Sequence, residues 1–123
     1  MFQILFFEDA NGHSELWDFL EELRLKSAAS KTARIEFNQI SLCINLLSEN
    51  GTRLSSNITK HLTDDIWELR PGNNRVFYFC HCGDQYVLLH HFRKKTQKTP
   101  KREIDRAIAE RDDYLNRLKG GKR

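Results

Sequence analysis

Three short apolar segments follow one another between residues 66 and 92, and they restrict the folds open to this chain. The segments cover residues 66–70, 75–81 and 86–92, and the tetrapeptides between them are Pro-Gly-Asn-Asn and Cys-Gly-Asp-Gln. Such residues form tight turns, and turns this short join antiparallel neighbours. The sequence therefore predicts a three-stranded antiparallel meander. Residues 76–80 are apolar on both faces, which predicts that the second strand is central.

Segments with the periodicity of helices lie before and after this meander in the sequence. A strand is predicted over residues 1–7, and Ser14 is a suitable cap for the helix that follows. Apolar residues three and four apart give each predicted helix one apolar stripe; they are Leu16, Phe19, Leu20 and Leu23, then Ala33, Phe37, Ile40, Ile44 and Leu47, then Ile104, Ala107, Ile108, Leu115 and Leu118. Thr99 and Pro100 are expected to open the last helix. The pattern predicts an α+β fold in which a mainly antiparallel sheet packs with a helical hairpin and a C-terminal helix.

Length and composition favour one domain. A chain of 123 residues, of which 39% are hydrophobic, can form a single core. We expect that domain to cover residues 1–118 and residues 119–123 to form a disordered tail. The apolar run at residues 4–7 is too short for a signal peptide or a membrane span, and three cysteines do not indicate a disulfide framework. These features predict a cytoplasmic protein.

Positive charge is concentrated near the end of the third predicted strand. Residues 93–102 contain six Lys and Arg residues and no acid. Residues 1–92 hold 8 Lys and Arg against 12 Asp and Glu, whereas residues 93–123 hold 12 against 5. Charge separated in this way attracts phosphates or acidic proteins. A solvated helix face with a charged tail is the alternative, and it is favoured for Lys119, Lys122 and Arg123.

Other kinds of site find little support. Cys80 and Cys82 would share one face of a strand with His81 on the other, and there is no C-x-x-C or H-x-x-x-H spacing. There is also no G-x-S-x-G turn and no glycine-rich phosphate loop before a helix. The sequence therefore predicts neither a metal nor a cofactor.

Strand alternation brings cations from separate segments towards one end of the sheet. It places Trp67 and Leu69 in the core, and Glu68 and Arg70 on an open face or at its edge. Arg75 begins the next strand, and residues 93–95 end the third, where an antiparallel neighbour begins. A surface ion pair between Glu68 and Arg70 is the alternative interpretation, and it would contribute little energy.

Such a group of cations suits RNA chemistry. RNA carries its own nucleophile, the 2′-hydroxyl, so cleavage requires in-line positioning, charge stabilisation and proton transfer rather than a metal. Arg and Lys supply positive charge, and the Arg fork grips two phosphate oxygens.

Three segments carry a family resemblance. They are Ile66-Trp67-Glu68-Leu69-Arg70, Arg75-Val76-Phe77-Tyr78-Phe79 and His90-His91-Phe92-Arg93-Lys94-Lys95-Thr96-Gln97-Lys98-Thr99-Pro100. In order and spacing, over residues 58–115, they resemble the RelE superfamily of type II toxins, with HigB and the related phage-derived host-inhibition proteins as the closest branch. The resemblance implies a toxin that enters the ribosomal A site and cuts mRNA. It also implies a HigA-like helix-turn-helix antitoxin as partner.

The resemblance also assigns residues. Arg70, Arg75, Lys94 and Lys95 match the family's cations and would bind and stabilise the scissile phosphate. Glu68 would be a proton acceptor, and further RNA contacts would come from His91, Arg93, Lys98 and Lys101. RelE has a tyrosine after its last basic strand, whereas Thr96 and Gln97 stand here.

Two other functions remain open at this point. A ParE-like member of the same superfamily would poison gyrase without cutting RNA. A non-catalytic RNA-binding protein of phage host takeover would hold RNA and leave it intact.

Overall fold

The structure is a computed structural model that describes residues 1–121. It contains three helices and five strands, in the order β1 (Gln3–Phe6), α1 (Glu15–Lys26), α2 (Lys31–Asn50), β2 (Thr59–Thr63), β3 (Ile66–Leu69), β4 (Asn74–His81), β5 (Gln85–Arg93) and α3 (Lys101–Gly121). The predicted α+β class is confirmed. The helix α3 continues beyond the predicted domain end at residue 118, and Lys122 and Arg123 of the expected tail lie outside the described residues.

All five strands form one sheet in the order β1-β5-β4-β3-β2. The predicted meander is present as β3, β4 and β5 with antiparallel pairing, and β4 lies at the centre of the sheet. Two features were not predicted. The strand β2 adds to the meander at its edge, and β1 pairs with β5 in parallel, with Phe6 opposite Leu88.

Helices cover both faces of the sheet. The α1–α2 hairpin packs on one face around fully buried Leu16, Ile40 and Tyr78, and α3 packs on the other around Phe77 and Ala107. The sequence predicted an open face at β3, and this was wrong because α3 lies over it. The result is a three-layer domain whose central strands, β3 to β5, are largely buried on both sides.

A β-bulge in β5 redirects two neighbouring side chains. Val76 pairs with His91, whereas Tyr78 pairs with Leu88, so two steps along β4 face three steps along β5. An extra residue of this kind breaks the alternation of a strand. Leu89 and His90 therefore both reach the α3 layer, and His91 returns to the hairpin side.

Capping residues set the ends of the hairpin helices. Ser14 accepts a hydrogen bond from the amide of Trp17 at 3.0 Å, and Ser30 accepts one from Ala33 at 3.2 Å. At Gly51 α2 ends with a φ of 62°, a conformation that favours glycine. A Cβ atom there would also lie 2.9 Å from a ring carbon of Phe2 and 2.9 Å from the hydroxyl oxygen of Tyr86, so both backbone freedom and space require glycine.

Within residues 1–121, no helix combines the length and the apolar composition that crossing a bilayer would require.

Candidate phosphate-binding site

A buried carboxylate anchors the site. Glu68 is 1% exposed, and its Oε1 atom accepts a hydrogen bond from the Thr99 hydroxyl at 2.9 Å. Thr99 was expected to cap α3, but the helix begins at Lys101 and the hydroxyl is directed to β3 instead. The prediction that Glu68 lies on an open face was wrong. The ion pair between Glu68 and Arg70, which was the alternative interpretation, is present, but it does not lie at the surface because Glu68 is buried.

Two guanidinium groups flank this carboxylate. Its Oε2 atom lies 3.4 Å from Nε of Arg70 and 3.9 Å from Nε of Arg75. Backbone carbonyls hold both forks, because Arg70 donates to Ser56 at 2.9 Å and Arg75 donates to Gly72 at 3.0 Å. Two positive charges therefore share one negative charge, which leaves a net positive charge at this end of the sheet.

The environment of Arg75 is unusual for a cation. The residue is 7% exposed, and burial lowers the pKa of its guanidinium from the ordinary value. Glu68 opposes that shift, whereas the like charge of Arg70 adds to it. A cation that has lost its water in this way interacts strongly with an incoming anion.

An open cleft of about 370 Å³ lies beside Arg75 and gathers cations from two segments. Its lining residues are Asn73, Arg75, Lys94, Lys95, Thr96 and Gln97. The amide of Lys94 donates to the Asn73 carbonyl at 2.7 Å, which ties the segment after β5 to the turn before β4. The antiparallel register, in which Asn74 faces Arg93, thus brings Arg75, Lys94 and Lys95 to one cleft. Arg70 reaches the same group of residues through Glu68.

The other predicted RNA contacts lie elsewhere. His91 stacks on Phe19 with 3.9 Å between ring centroids, and Arg93 pairs with Glu36 of α2 at 2.5 Å, so both lie on the hairpin side. Lys98 is exposed in the loop before α3, and Lys101 pairs with Asp105 at 2.8 Å. None of these four side chains lines the cleft. Their contacts with RNA remain predictions.

The sequence did not indicate a buried group of one histidine and two glutamates that joins β5 to α3. His90 is fully buried, and its ring nitrogens lie 2.6 Å from Glu110 and 2.9 Å from Glu103. The seven-residue spacing of the two acids places them on one face of α3, and that spacing could have indicated a shared polar partner. Thr99 was also missed as a partner of Glu68, because no sequence pattern shows where the loop before α3 crosses the sheet.

The contacts restrict what Glu68 can do. Its Oε1 atom accepts the Thr99 hydroxyl, its Oε2 atom lies within ion-pair distance of Arg70 and Arg75, and the side chain has almost no access to solvent. Such a carboxylate is suited to fixing the arginines. Within residues 1–121, no group of three His, Cys, Asp or Glu residues is arranged to hold a metal ion.

Comparison with known proteins identifies the family. The model of the family described as "Phage derived protein Gp49-like (DUF891)" matches residues 27–112, which is more than half of the chain. That range includes α2, strands β2 to β5 and every residue of the cleft. No curated protein matches the chain. The matching family is phage-derived and related to toxin–antitoxin systems. The chain therefore belongs to the Gp49-like family of phage-derived proteins, within the RelE/HigB-like toxin superfamily.

Proposed function

We propose that this protein is the toxin of a type II toxin–antitoxin system and cuts mRNA on the ribosome, in the cytoplasm. The supporting observation is the cleft at the end of β4 and β5, where Arg75, Lys94 and Lys95 converge beside the buried Glu68. The family supports a toxin role, and the cleft supplies the cationic surface that RNA cleavage needs. Its antitoxin partner would be a HigA-like helix-turn-helix protein.

The proposed reaction is attack by the RNA 2′-hydroxyl on the adjacent phosphate. The 2′-oxygen bonds to phosphorus while the bond to the 5′-oxygen breaks, which yields a 2′,3′-cyclic phosphate and a 5′-hydroxyl. The Nη2 end of the Arg75 guanidinium, whose Nη1 already donates to Gly72 and Asn74, would hold a phosphate oxygen, and Lys94 and Lys95 would stabilise the extra negative charge of the pentavalent state. Water in the open cleft would take the proton of the 2′-hydroxyl, an ammonium group of the cleft would give a proton to the departing 5′-oxygen, and the resulting neutral amine would regain its proton from solvent.

The role of Glu68 in this proposal is to hold Arg70 and Arg75 in place before RNA arrives. Charged donors that are already oriented need no rearrangement when negative charge develops at the phosphate. Proton abstraction by Glu68, which the family resemblance implied, would require the RNA 2′-hydroxyl to reach a carboxylate that is only 1% exposed. Anchoring is therefore the role that its contacts favour.

Controlled expression followed by mapping of mRNA 5′ ends tests this function. Wild-type protein should produce new ends within codons and stop growth, and Lys95→Ala should restore growth through a rate loss on the order of 100-fold. Lys119→Ala is the matched control, because that exposed lysine lies at the far end of α3. Stalled replication with intact mRNA would instead indicate a gyrase poison, and intact mRNA without stalled replication would indicate an RNA-binding protein.

Arg75 needs a more conservative variant. Arg75→Ala leaves the buried Glu68 with one partner fewer, so lost activity could reflect lost stability. Arg75→Lys keeps the positive charge and removes the fork. We expect this variant to remain folded and to lose most cleavage. Co-expression with a helix-turn-helix protein encoded beside the toxin should restore growth if that protein is the antitoxin.

A further inference from the structure

The sheet has an open edge along β1. Within the part of the chain that the structure describes, this strand pairs only with β5, on one side. The amides of Gln3 and Phe7 donate to the carbonyls of Asp84 and Leu88 at 2.9 and 2.8 Å, so alternate residues from Gln3 direct their polar groups to β5. The backbone groups of the residues between them, Ile4 and Phe6, must therefore point away from the sheet.

Most of this edge lacks a partner in the fold. At its start, α2 satisfies Phe2, whose amide donates to the Ser48 carbonyl at 2.7 Å while the Ser48 hydroxyl donates to the Phe2 carbonyl at 2.9 Å. The outward groups of Ile4 and Phe6 have no comparable contact within residues 1–121. Unpaired N–H and C=O groups in a row are a template for another strand.

A groove runs along this edge between two helices. A cavity of about 550 Å³ is lined by Ile4 and Phe6 from the strand, Trp17 from α1 and Tyr114 from α3. Trp17 is 50% exposed and meets Phe6 edge-on, with 5.2 Å between ring centroids. A second cavity of about 200 Å³ shares Phe6 and Tyr114 and extends the groove. A backbone edge flanked by apolar side chains is the geometry used in peptide recognition by strand addition.

The charge around the groove indicates what would bind there. Residues 1–23 contain six acids and no Lys or Arg. Three of these acids, Glu15, Glu21 and Glu22, have ion-pair partners. Glu8 and Asp18, which line the groove, have none within the described residues, and Arg117, the cation at the end of the groove, is paired with Asp113. Unneutralised carboxylates repel RNA and a second copy of the same edge, and they attract a basic segment.

We propose that the β1 edge binds an extended, basic segment of a partner protein as an added strand. Its backbone would pair with Ile4 and Phe6, its alternate apolar side chains would lie between Trp17 and Tyr114, and its Lys or Arg side chains would face the acids of the groove. This groove shares no residue with the cation cleft. The inference therefore holds whether or not the protein cuts RNA.

Amide hydrogen exchange by NMR tests the edge directly. In the free chain the amides of Ile4 and Phe6 should exchange quickly, and those of Leu5 and Phe7 slowly. The probe is a fluorescein-labelled peptide of four Lys-Val repeats, compared by anisotropy at low salt with a peptide of four Glu-Val repeats. The lysine peptide should bind with saturation and slow exchange at Ile4 and Phe6, and the glutamate peptide should not bind.

Matched variants separate strand addition from non-specific attraction. Ile4→Pro removes an outward N–H without removing a hydrogen bond to β5, and it should weaken binding by about tenfold or more, whereas Ile4→Val should not. Trp17→Ala should weaken it similarly. If Ile4→Pro does not fold, the doubly substituted Glu8→Gln/Asp18→Asn protein decides, since both residues are exposed. It should bind the lysine peptide less tightly and with less dependence on salt.

Four results would overturn the proposal: no saturable binding of the lysine peptide, equal affinity for both peptides, unchanged exchange at Ile4 and Phe6 in the complex, or wild-type affinity of a folded Ile4→Pro protein. Protection of these amides in the free chain, together with a dimer in sedimentation, would also overturn it by assigning the edge to a second copy.

Discussion

At the scale of single residues, Glu68 has the largest predicted effect on stability. Glu68→Ala would leave Arg70 and the buried Arg75 without their shared anion and Thr99 without an acceptor. Removing one partner of a buried ionic group costs about 3 kcal/mol or more. We expect that loss in the free energy of unfolding, measured by urea denaturation. Glu68→Gln removes the charge but retains an acceptor for Thr99, so its loss should be smaller but still large, and wild-type stability of Glu68→Gln would contradict the anchoring role.

His91 should make stability depend on pH. Burial lowers the pKa of His91 below the ordinary value of a histidine; His90, Arg106 and Arg93 also lower it, and Glu15 opposes them. The unfolded chain therefore binds a proton at this position more readily than the folded chain. The free energy of unfolding should therefore keep its full value at pH values above the pKa that His91 has in the unfolded chain, and it should fall as the pH drops below that pKa.

His91→Phe isolates this contribution. The phenylalanine ring can still stack on Phe19. The substitution removes the buried Nδ1 atom of His91, which has no hydrogen-bond partner in the described structure. Urea denaturation at about pH 7.5 and about pH 5.5 should show a smaller loss of stability on acidification in the variant than in the wild type. An identical loss in both proteins would show that other groups cause the pH dependence.

At the scale of elements, His90 connects β5 to α3. The bulge in β5 directs this ring into the α3 layer, where Glu103 and Glu110 lie against its two nitrogens. His90→Ala would leave both carboxylates without it, although Arg102 and Arg106 still lie beside them. We expect a loss of about 3 kcal/mol in the free energy of unfolding.

Hydrogen exchange can locate this effect. The amides of α3 should lose protection before those of β4, and Glu103→Gln should have a smaller effect because Glu110 remains charged. If His90→Ala lowered protection evenly across the domain, the histidine would be an ordinary core residue and not a specific attachment of α3.

Elements differ in how well the sequence predicts them. The helices and the meander were predictable because apolar spacing and turn residues are local signals. The strand β2 was missed because Thr59-Lys60-His61-Leu62-Thr63 has one strongly apolar residue and lies at the sheet edge, where little packing is required. The parallel pairing of β1 with β5 joins residues about eighty positions apart, and no local pattern records it.

In the candidate site, too, some contacts could be predicted from the sequence and others could not. The meeting of Arg75 with Lys94 and Lys95 follows from antiparallel register, so the sequence could predict it. The burial of Glu68 depends on where α3 and Thr99 cross the sheet, which is a property of the assembled layers. The bulge at Leu89 and His90 likewise required the structure, because an extra residue in a strand leaves the apolar pattern almost unchanged.

At the scale of the whole molecule, the two surfaces carry opposite charge. Residues 1–23 hold six acids and no Lys or Arg, whereas residues 93–102 hold six cations and no acid. An RNA strand should therefore approach the molecule from the side of the cleft, and attraction of this kind weakens as salt screens it. The logarithm of the association constant for single-stranded RNA should fall linearly with the logarithm of the salt concentration, because binding releases counterions from the phosphates.

This salt dependence gives a prediction that is independent of cleavage. Each phosphate contact adds about 0.7 to the slope for a single strand, so Lys95→Ala should lower the slope by about that amount. Lys119→Ala should leave it unchanged, because α3 places residue 119 about 27 Å along its axis from Lys101, which begins the helix. Anisotropy titrations of a labelled RNA with 2′-deoxy substitutions, which cannot be cut, provide the measurement. Equal slopes for the wild type and Lys95→Ala would place the RNA on a different surface from the cleft, even if both proteins bound it tightly.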